Sequence, residues 1–217
     1  METIGMIGAG DMGSEIARAA IAQGYRVVIA NSRGPQTLRG LIDDLGPSAR
    51  AAHAPEAAAA GDFVILSFPL SIAHDLPVAE LAGKVVLDTN NYMVWRDGHI
   101  PVIDSGERTV HQLRQEQLPR SRVAKAFTHI QHERLRAAAR PAGHPERVAL
   151  AVSSDHPEAV DVVTRLYDQL GFDAADHSPL SESWRNAPGQ PAWVRSGWQS
   201  REELALNLEQ ANPALRG

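Results

Sequence analysis

Three glycines near the start of the chain have a spacing that could do chemistry. Gly8-Ala9-Gly10-Asp11-Met12-Gly13 is a G-x-G-x-x-G run. It follows a short apolar stretch, Thr3–Ile7, and opens a segment with Met12, Ile16, Ala19 and Ala20 at helical spacing. A glycine loop between a strand and a helix is the fingerprint of a dinucleotide site. Gly8 permits the tight turn, Gly10 lets the backbone approach a pyrophosphate, and Gly13 lets the helix pack close to the strand. The free N–H groups at the helix start then receive phosphate.

The second strand decides which dinucleotide fits. Tyr25–Ala30 is apolar and β-branched and ends in Asn31-Ser32-Arg33. An NAD site places an acidic residue ~20 residues past the glycines, on the ribose 2′-hydroxyl. No carboxylate stands at this tip. A hydroxyl and a guanidinium do, and an arginine fork suits a phosphate dianion. Ser32 and Arg33 therefore read as a 2′-phosphate site, favouring NADP(H). The alternative is that Ser32 caps the helix that follows and Arg33 is merely solvated.

Later loops at the carboxyl ends of strands should line the nicotinamide crevice. They are Ser67-Phe68-Pro69-Leu70, Asp88-Thr89-Asn90-Asn91 and Ala126-Phe127-Thr128-His129. Asn90 is read as a carboxamide partner or a cap. His129, Tyr92 and Asp88 are candidate proton donors, with His129 the catalytic candidate among them. His129 and His132 lack a third ligand, so no metal site is expected. No Tyr-x-x-x-Lys pair, Ser–His–Asp set or phosphate-binding loop of the G-x-x-x-x-G-K type occurs.

The elements needed to position these residues are legible as alternating short apolar runs and helical patterns. Strands are expected at Thr3–Ile7, Tyr25–Ala30, weakly at Ala51–His53, then at Asp62–Phe68, Lys84–Asp88, Arg122–Phe127, Arg147–Val152 and Phe172–Asp176. Helices are expected at Asp11–Gln23, Pro35–Leu45, Ser71–Leu81, Thr109–Leu118 and His156–Leu170, with a short one at Arg201–Gln210. The span 131–146 reads as a loop. Apolar strands alternating with helices predict an α/β, doubly wound, mostly parallel Rossmann sheet. Residues 1–177 make the dinucleotide-binding domain. Residues 178–217 make a C-terminal extension of irregular, tryptophan-rich chain and one helix.

The composition sets the outer limits. The chain has 217 residues, no cysteine and a net charge of −5. Thiol catalysis, disulfides and thiolate metal sites are excluded. No nucleic-acid partner is expected from that charge, and no membrane partner from apolar runs far short of the ~20 residues that span a bilayer. The N-terminus lacks a basic targeting region, so a cytoplasmic protein is expected. A homodimer is one expectation for the tryptophan-rich tail, which holds Trp184, Trp193 and Trp198. A cap over an acceptor cavity and a peripheral core are the others.

Taken in order, IGMIGAGDMG, VVIANSRGP, ILSFPL, VVLDTNN, VAKAFTHI and GFDAADHSPLSESW resemble the coenzyme F420-dependent NADP oxidoreductase family. The resemblance implies NADP(H) on one Rossmann domain, with Gly8, Gly10 and Gly13 at the pyrophosphate and Ser32 and Arg33 at the 2′-phosphate. It places Pro69 beside the nicotinamide, and Ala126–Ile130 with the Pro179–Leu180 turn beside the acceptor. The implied reaction is hydride transfer between NADP(H) and a deazaflavin (coenzyme F420) or flavin. The chain departs from the family's reductases at Ala9 and in the tail 184–198. Two other readings stay open: an NADPH-dependent reductase of a small carbonyl or imine, and a non-catalytic NADP(H)-binding module that senses redox state.

Overall fold

The computed structural model describes residues 1–70, 76–193 and 198–215. The elements run β1 (Thr3–Ile7), α1 (Asp11–Ala22), β2 (Arg26–Ala30), a 3₁₀ turn (Pro35–Leu38), α2 (Arg39–Leu45), β3 (Ala49–Ala51), α3 (Ala54–Ala60) and β4 (Phe63–Leu66). They continue with α4 (Val78–Leu81), β5 (Val85–Asp88), α5 (Val94–Asp97), α6 (Pro101–Asp104), α7 (Val110–Gln117), β6 (Arg122–Lys125) and α8 (His132–Leu135). The chain then forms β7 (Ala149–Ser154), α9 (Pro157–Leu170), β8 (Asp173–Asp176), a 3₁₀ segment (Leu180–Asn186) and α10 (Arg201–Glu209).

Among the described residues the strands form one sheet in the order β3-β2-β1-β4-β5-β6-β7-β8. The first six in sequence are mutually parallel. This is the doubly wound dinucleotide-binding order, which reverses between β1 and β4. β7 turns antiparallel to β6, and β8 runs parallel to β7. The α/β, mostly parallel Rossmann expectation is thus met.

β4 and β5 are buried end to end, and β1 from Ile4 onward, because helices cover both faces. One core packs Ile16, Ala17 and Ala20 of α1 and Val163, Leu166, Tyr167 and Leu170 of α9 on the sheet. On the other face, Leu66, Val86 and Val123 meet Leu81, Leu118 and Leu180. α9 repeats its apolar residues at helical spacing and stops at Gly171, which adopts a left-handed conformation with φ 93°. Thr109 and Ser200 start α7 and α10 through reciprocal capping boxes with Gln112 and Glu203.

Several expected boundaries shift. Pro35–Leu45 divides into a 3₁₀ turn, Pro35–Leu38, and α2, Arg39–Leu45. The weak strand moves back to Ala49–Ala51. The helix expected over Ser71–Leu81 is described only at Val78–Leu81, and residues 71–75 lie outside the described residues. The 131–146 span is not all loop, since it holds α8. The extension packs on the sheet itself: Leu204 and Leu208 of α10 and Ala192 cover Ala149 and Ala151 of β7 and Ala175 of β8. No helix among the described residues is long and apolar enough to cross a membrane.

Candidate functional site

The carboxyl ends of β1, β2 and β4 open onto a cleft of about 650 Å³. Gly8, Ala9 and Gly10 line it from the glycine loop, and Asn31, Ser32 and Arg33 from the tip of β2. Ser67, Phe68 and Pro69 border it after β4. His53, Ala54 and Pro55 also line it, at the start of α3, and were not foreseen. Their only sequence signal is a polar residue just after a parallel strand.

The glycines differ in what surrounds them. A Cβ on Gly8, whose φ is +111°, would sit 1.9 Å from the Ser67 carbonyl oxygen. A Cβ on Gly13 would sit 2.3 Å from the Gly8 carbonyl oxygen. Both positions are closed by protein. A Cβ on Gly10 would meet nothing within 4 Å. Gly10 has an ordinary extended backbone and caps the start of α1. Its bare Cα thus faces open space at a helix N-terminus, which fits close approach of a pyrophosphate.

The tip of β2 is an Asx turn. Asn31 Oδ1 accepts from the Arg33 N–H at 3.1 Å, and Asn31 Nδ2 donates to Thr37 Oγ1 at 2.8 Å. Asn31 therefore shapes the turn that presents Ser32 and Arg33. Ser32 does not cap the 3₁₀ turn, whose N-cap is Gly34 with no side-chain cap bond. Among the described residues Arg33 is bonded through its main chain, its N–H to Asn31 and its carbonyl to Gln36, which leaves the five guanidinium donors for a ligand.

Other expected site residues lie elsewhere. Asp11 is exposed in the first turn of α1, with His132 Nε2 4.0 Å from its carboxylate. Met12 packs against the core. Ala126 and Phe127 are buried, Phe127 with φ 59°. Its N–H donates to Tyr167 Oη at 2.7 Å, and its ring meets the Tyr167 ring edge-on at 4.8 Å. Asp11, Met12, Ala126 and Phe127 are not among the residues that line the cleft. The tail tryptophans go to separate places. Trp184 is buried, Trp193 Nε1 donates to the Thr128 carbonyl at 3.2 Å, and Trp198 lies under Arg140.

The candidate proton donors are all engaged. His129 is buried after β6, and its Nε2 accepts the Ala151 N–H from β7 at 2.8 Å. Burial, then the nearby Lys125, pushes its pKa down to about 3. Tyr92 Oη donates to Asp104 at 2.6 Å and accepts from the Ile100 N–H. Asp88 is fully buried at the end of β5. It accepts from the Asn90 main chain and side chain through Oδ1, and from Arg114 Nε through Oδ2 at 3.0 Å. Burial opposes its charge, but Arg114, His111 and Asn90 hold its carboxyl below the usual range.

A second, smaller cavity of about 40 Å³ lies at the ends of β5 and β6. Asn90, His111, Lys125 and Ser183 are among its lining. Lys125 Nζ donates to the Ser183 carbonyl at 2.5 Å, across 58 residues of sequence. Arg114 links the two sites, since its guanidinium lies over the Phe68 ring at 5.5 Å.

Residues 3–92 match the family described as NADP oxidoreductase coenzyme F420-dependent. That span holds the glycine loop, the Ser32–Arg33 turn and the Phe68–Pro69 loop. The Escherichia coli (strain K12) protein YjhV is 36% identical over 75 residues, 35% of this chain and 50% of that one. The chain thus matches only half the length of that curated relative. A hypothetical protein, SMa0349, from Sinorhizobium meliloti superposes with a TM-score of 0.71 at 29% identity, over 88% of this chain and 92% of that one. A candidate F420-dependent NADP-reductase from Arthrobacter sp. FB24 superposes with a TM-score of 0.68 at 22% identity, over 84% and 87%. At that identity the likeness shows the shared fold.

Proposed function

We propose that the protein is an NADP(H)-dependent oxidoreductase that moves hydride between NADP(H) and an acceptor held on the same domain. The observation that carries this reading is the cleft. A glycine loop with open space at Gly10 meets a β2 turn that offers Arg33 and no carboxylate. The family match over residues 3–92 supports a deazaflavin or flavin as the acceptor.

Bound NADP(H) would supply the hydride. The chain's residues bind, orient and exclude water. The N–H groups at the start of α1 and the bare Gly10 hold the pyrophosphate. Arg33, with Ser32, binds the 2′-phosphate through charge-assisted hydrogen bonds. Pro69 and Phe68 border the cleft, and Phe68 is stiffened by the guanidinium of Arg114 beneath it. With Asp88, Tyr92 and His129 engaged in the fold, rate enhancement rests on positioning and desolvation.

The small cavity at the ends of β5 and β6, with Asn90, His111, Lys125 and Ser183 in its wall, favours a second reading, in which the acceptor is a compact carbonyl or imine. One screen separates them. NADPH oxidation is followed spectrophotometrically with a deazaflavin, FMN, and sets of imines and ketones. Turnover confined to the flat ring systems supports the first reading, and turnover confined to the small acceptors the second. Tight NADPH binding with no oxidation across the panel would overturn both and leave a non-catalytic binding module.

A further inference from the structure

Four ionisable side chains lie buried together beside the cofactor cleft: Asp88, His111, Arg114 and Lys125. Asp88 and Arg114 neutralise one another. Lys125 has no carboxylate of its own. Its Nζ donates to a neutral carbonyl, that of Ser183, and the Asp88 oxygens are already taken by Arg114 and Asn90. An ammonium has three donors, so two remain unused.

The other polar groups around the same small cavity are also unfilled. Neither ring nitrogen of His111 makes a well-formed hydrogen bond, although the Asp88 main chain lies near enough to favour the charged ring slightly. Ser183 Oγ has no partner either. Buried polar groups without partners are rare and costly. Water would satisfy the hydrogen bonds, but only an anion would also balance Lys125 in its charged form. At about 40 Å³ the cavity has room for roughly three waters, or for one carboxylate group. Much of the remaining wall is apolar, from Ile103, Val110, Pro188 and Leu215.

We propose that this cavity binds the carboxylate of a small organic acid, with Lys125 as its counter-ion and His111 and Ser183 as hydrogen-bond partners. The proposal goes beyond the cofactor reading and stands on the cavity alone. The cavity and the cofactor cleft have separate linings, and Arg114, whose guanidinium lies over the Phe68 ring, stands between them.

The surroundings of Lys125 give the proposal a pH signature. Burial pushes its pKa down to about 7, against the pull of Asp88 from β5. His111 and Arg114 lie on α7 beside Asp88, His129 follows four residues beyond the end of β6, and the neutral Ser153 stands opposite Lys125 in β7. His111 is held at about 3 by burial first, and is neutral. Above pH 7 the empty site holds an uncharged amine. Binding an anion there must draw in a proton, so affinity falls as pH rises.

The test is calorimetric titration of the full chain with acetate, propionate and pyruvate, in two buffers of different ionisation enthalpy, with chloride as the control. The expected result is saturable one-to-one binding of at least one acid, with proton uptake above pH 7. Affinity should drop at least tenfold in Lys125→Met, a change that removes only the charged end. Ser183→Ala should weaken binding several-fold and guards against misfolding of the first variant. NADPH affinity should stay unchanged in both. No saturable binding, undiminished affinity in the variants, or equal binding of chloride would overturn the proposal. Loss of NADPH binding with acid binding intact would count against the cofactor reading alone.

Discussion

Asp88 and Arg114 form an ion pair of 3.0 Å in which neither side chain is exposed to solvent. Asp88 ends β5, Arg114 sits on α7, and the pair ties the rim of the crevice to the helix beneath it. Removing one partner leaves a buried charge unmatched, at a cost of about 3–5 kcal/mol. Arg114→Met should therefore lower the urea unfolding midpoint sharply. The double change Asp88→Asn with Arg114→Met should recover much of the loss. Additive losses would show that the two side chains act separately.

The glycine loop gives a paired prediction. Gly10→Val should leave thermal stability within about 1 kcal/mol, because its side chain enters open space, yet abolish cofactor binding. Gly13→Val should instead destabilise the fold, because its Cβ meets the Gly8 carbonyl. Calorimetric unfolding and NADPH titration on both variants check this. Retained NADPH binding in Gly10→Val would refute the placement of the pyrophosphate.

The buried bases set the pH dependence of stability. Lys125 has a folded pKa near 7, below its ordinary 10.5, so the unfolded chain binds the extra proton between those values. Stability should then rise with pH from about 7 to 10.5. His111 and His129 are lowered from 6.5 to about 3, so stability should fall as pH drops through that window. Denaturant midpoints against pH measure both. The alkaline rise should vanish in Lys125→Met, and its persistence there would assign the effect elsewhere.

His129 serves the sheet. Its Nε2 satisfies the Ala151 N–H inside β7, so His129→Leu should cost about 1–3 kcal/mol of stability. Turnover per folded molecule should change little. A loss of turnover of a hundredfold or more with stability intact would restore the histidine as a proton donor.

What could be read from the residues alone follows the range of the interaction. The glycine loop was legible because its constraints are steric and local, and β4 and β5 because strands buried on both faces are continuous apolar runs. α3 escaped notice because seven residues with Pro55 and five alanines show no apolar period. α5, α6 and α8, at four residues each, are too short to show one. The polar cluster was hidden for a different reason. Arg114 finds Asp88 across 26 residues and Lys125 finds Ser183 across 58, and no spacing rule links them. Residue type alone makes His129 a catalytic candidate, but the antiparallel turn of β7 brings the Ala151 N–H onto its ring nitrogen.

In the proposed function the Asn31-Ser32-Arg33 turn reads a 2′-phosphate. Isothermal titration of the wild type and Arg33→Ala with NADPH and with NADH tests it most directly. Wild type should bind NADPH at least tenfold more tightly than NADH, about 1.4 kcal/mol. Arg33→Ala should lose that preference while its NADH affinity barely moves. Equal affinities in the wild type, or equal losses for both cofactors in the variant, would contradict it.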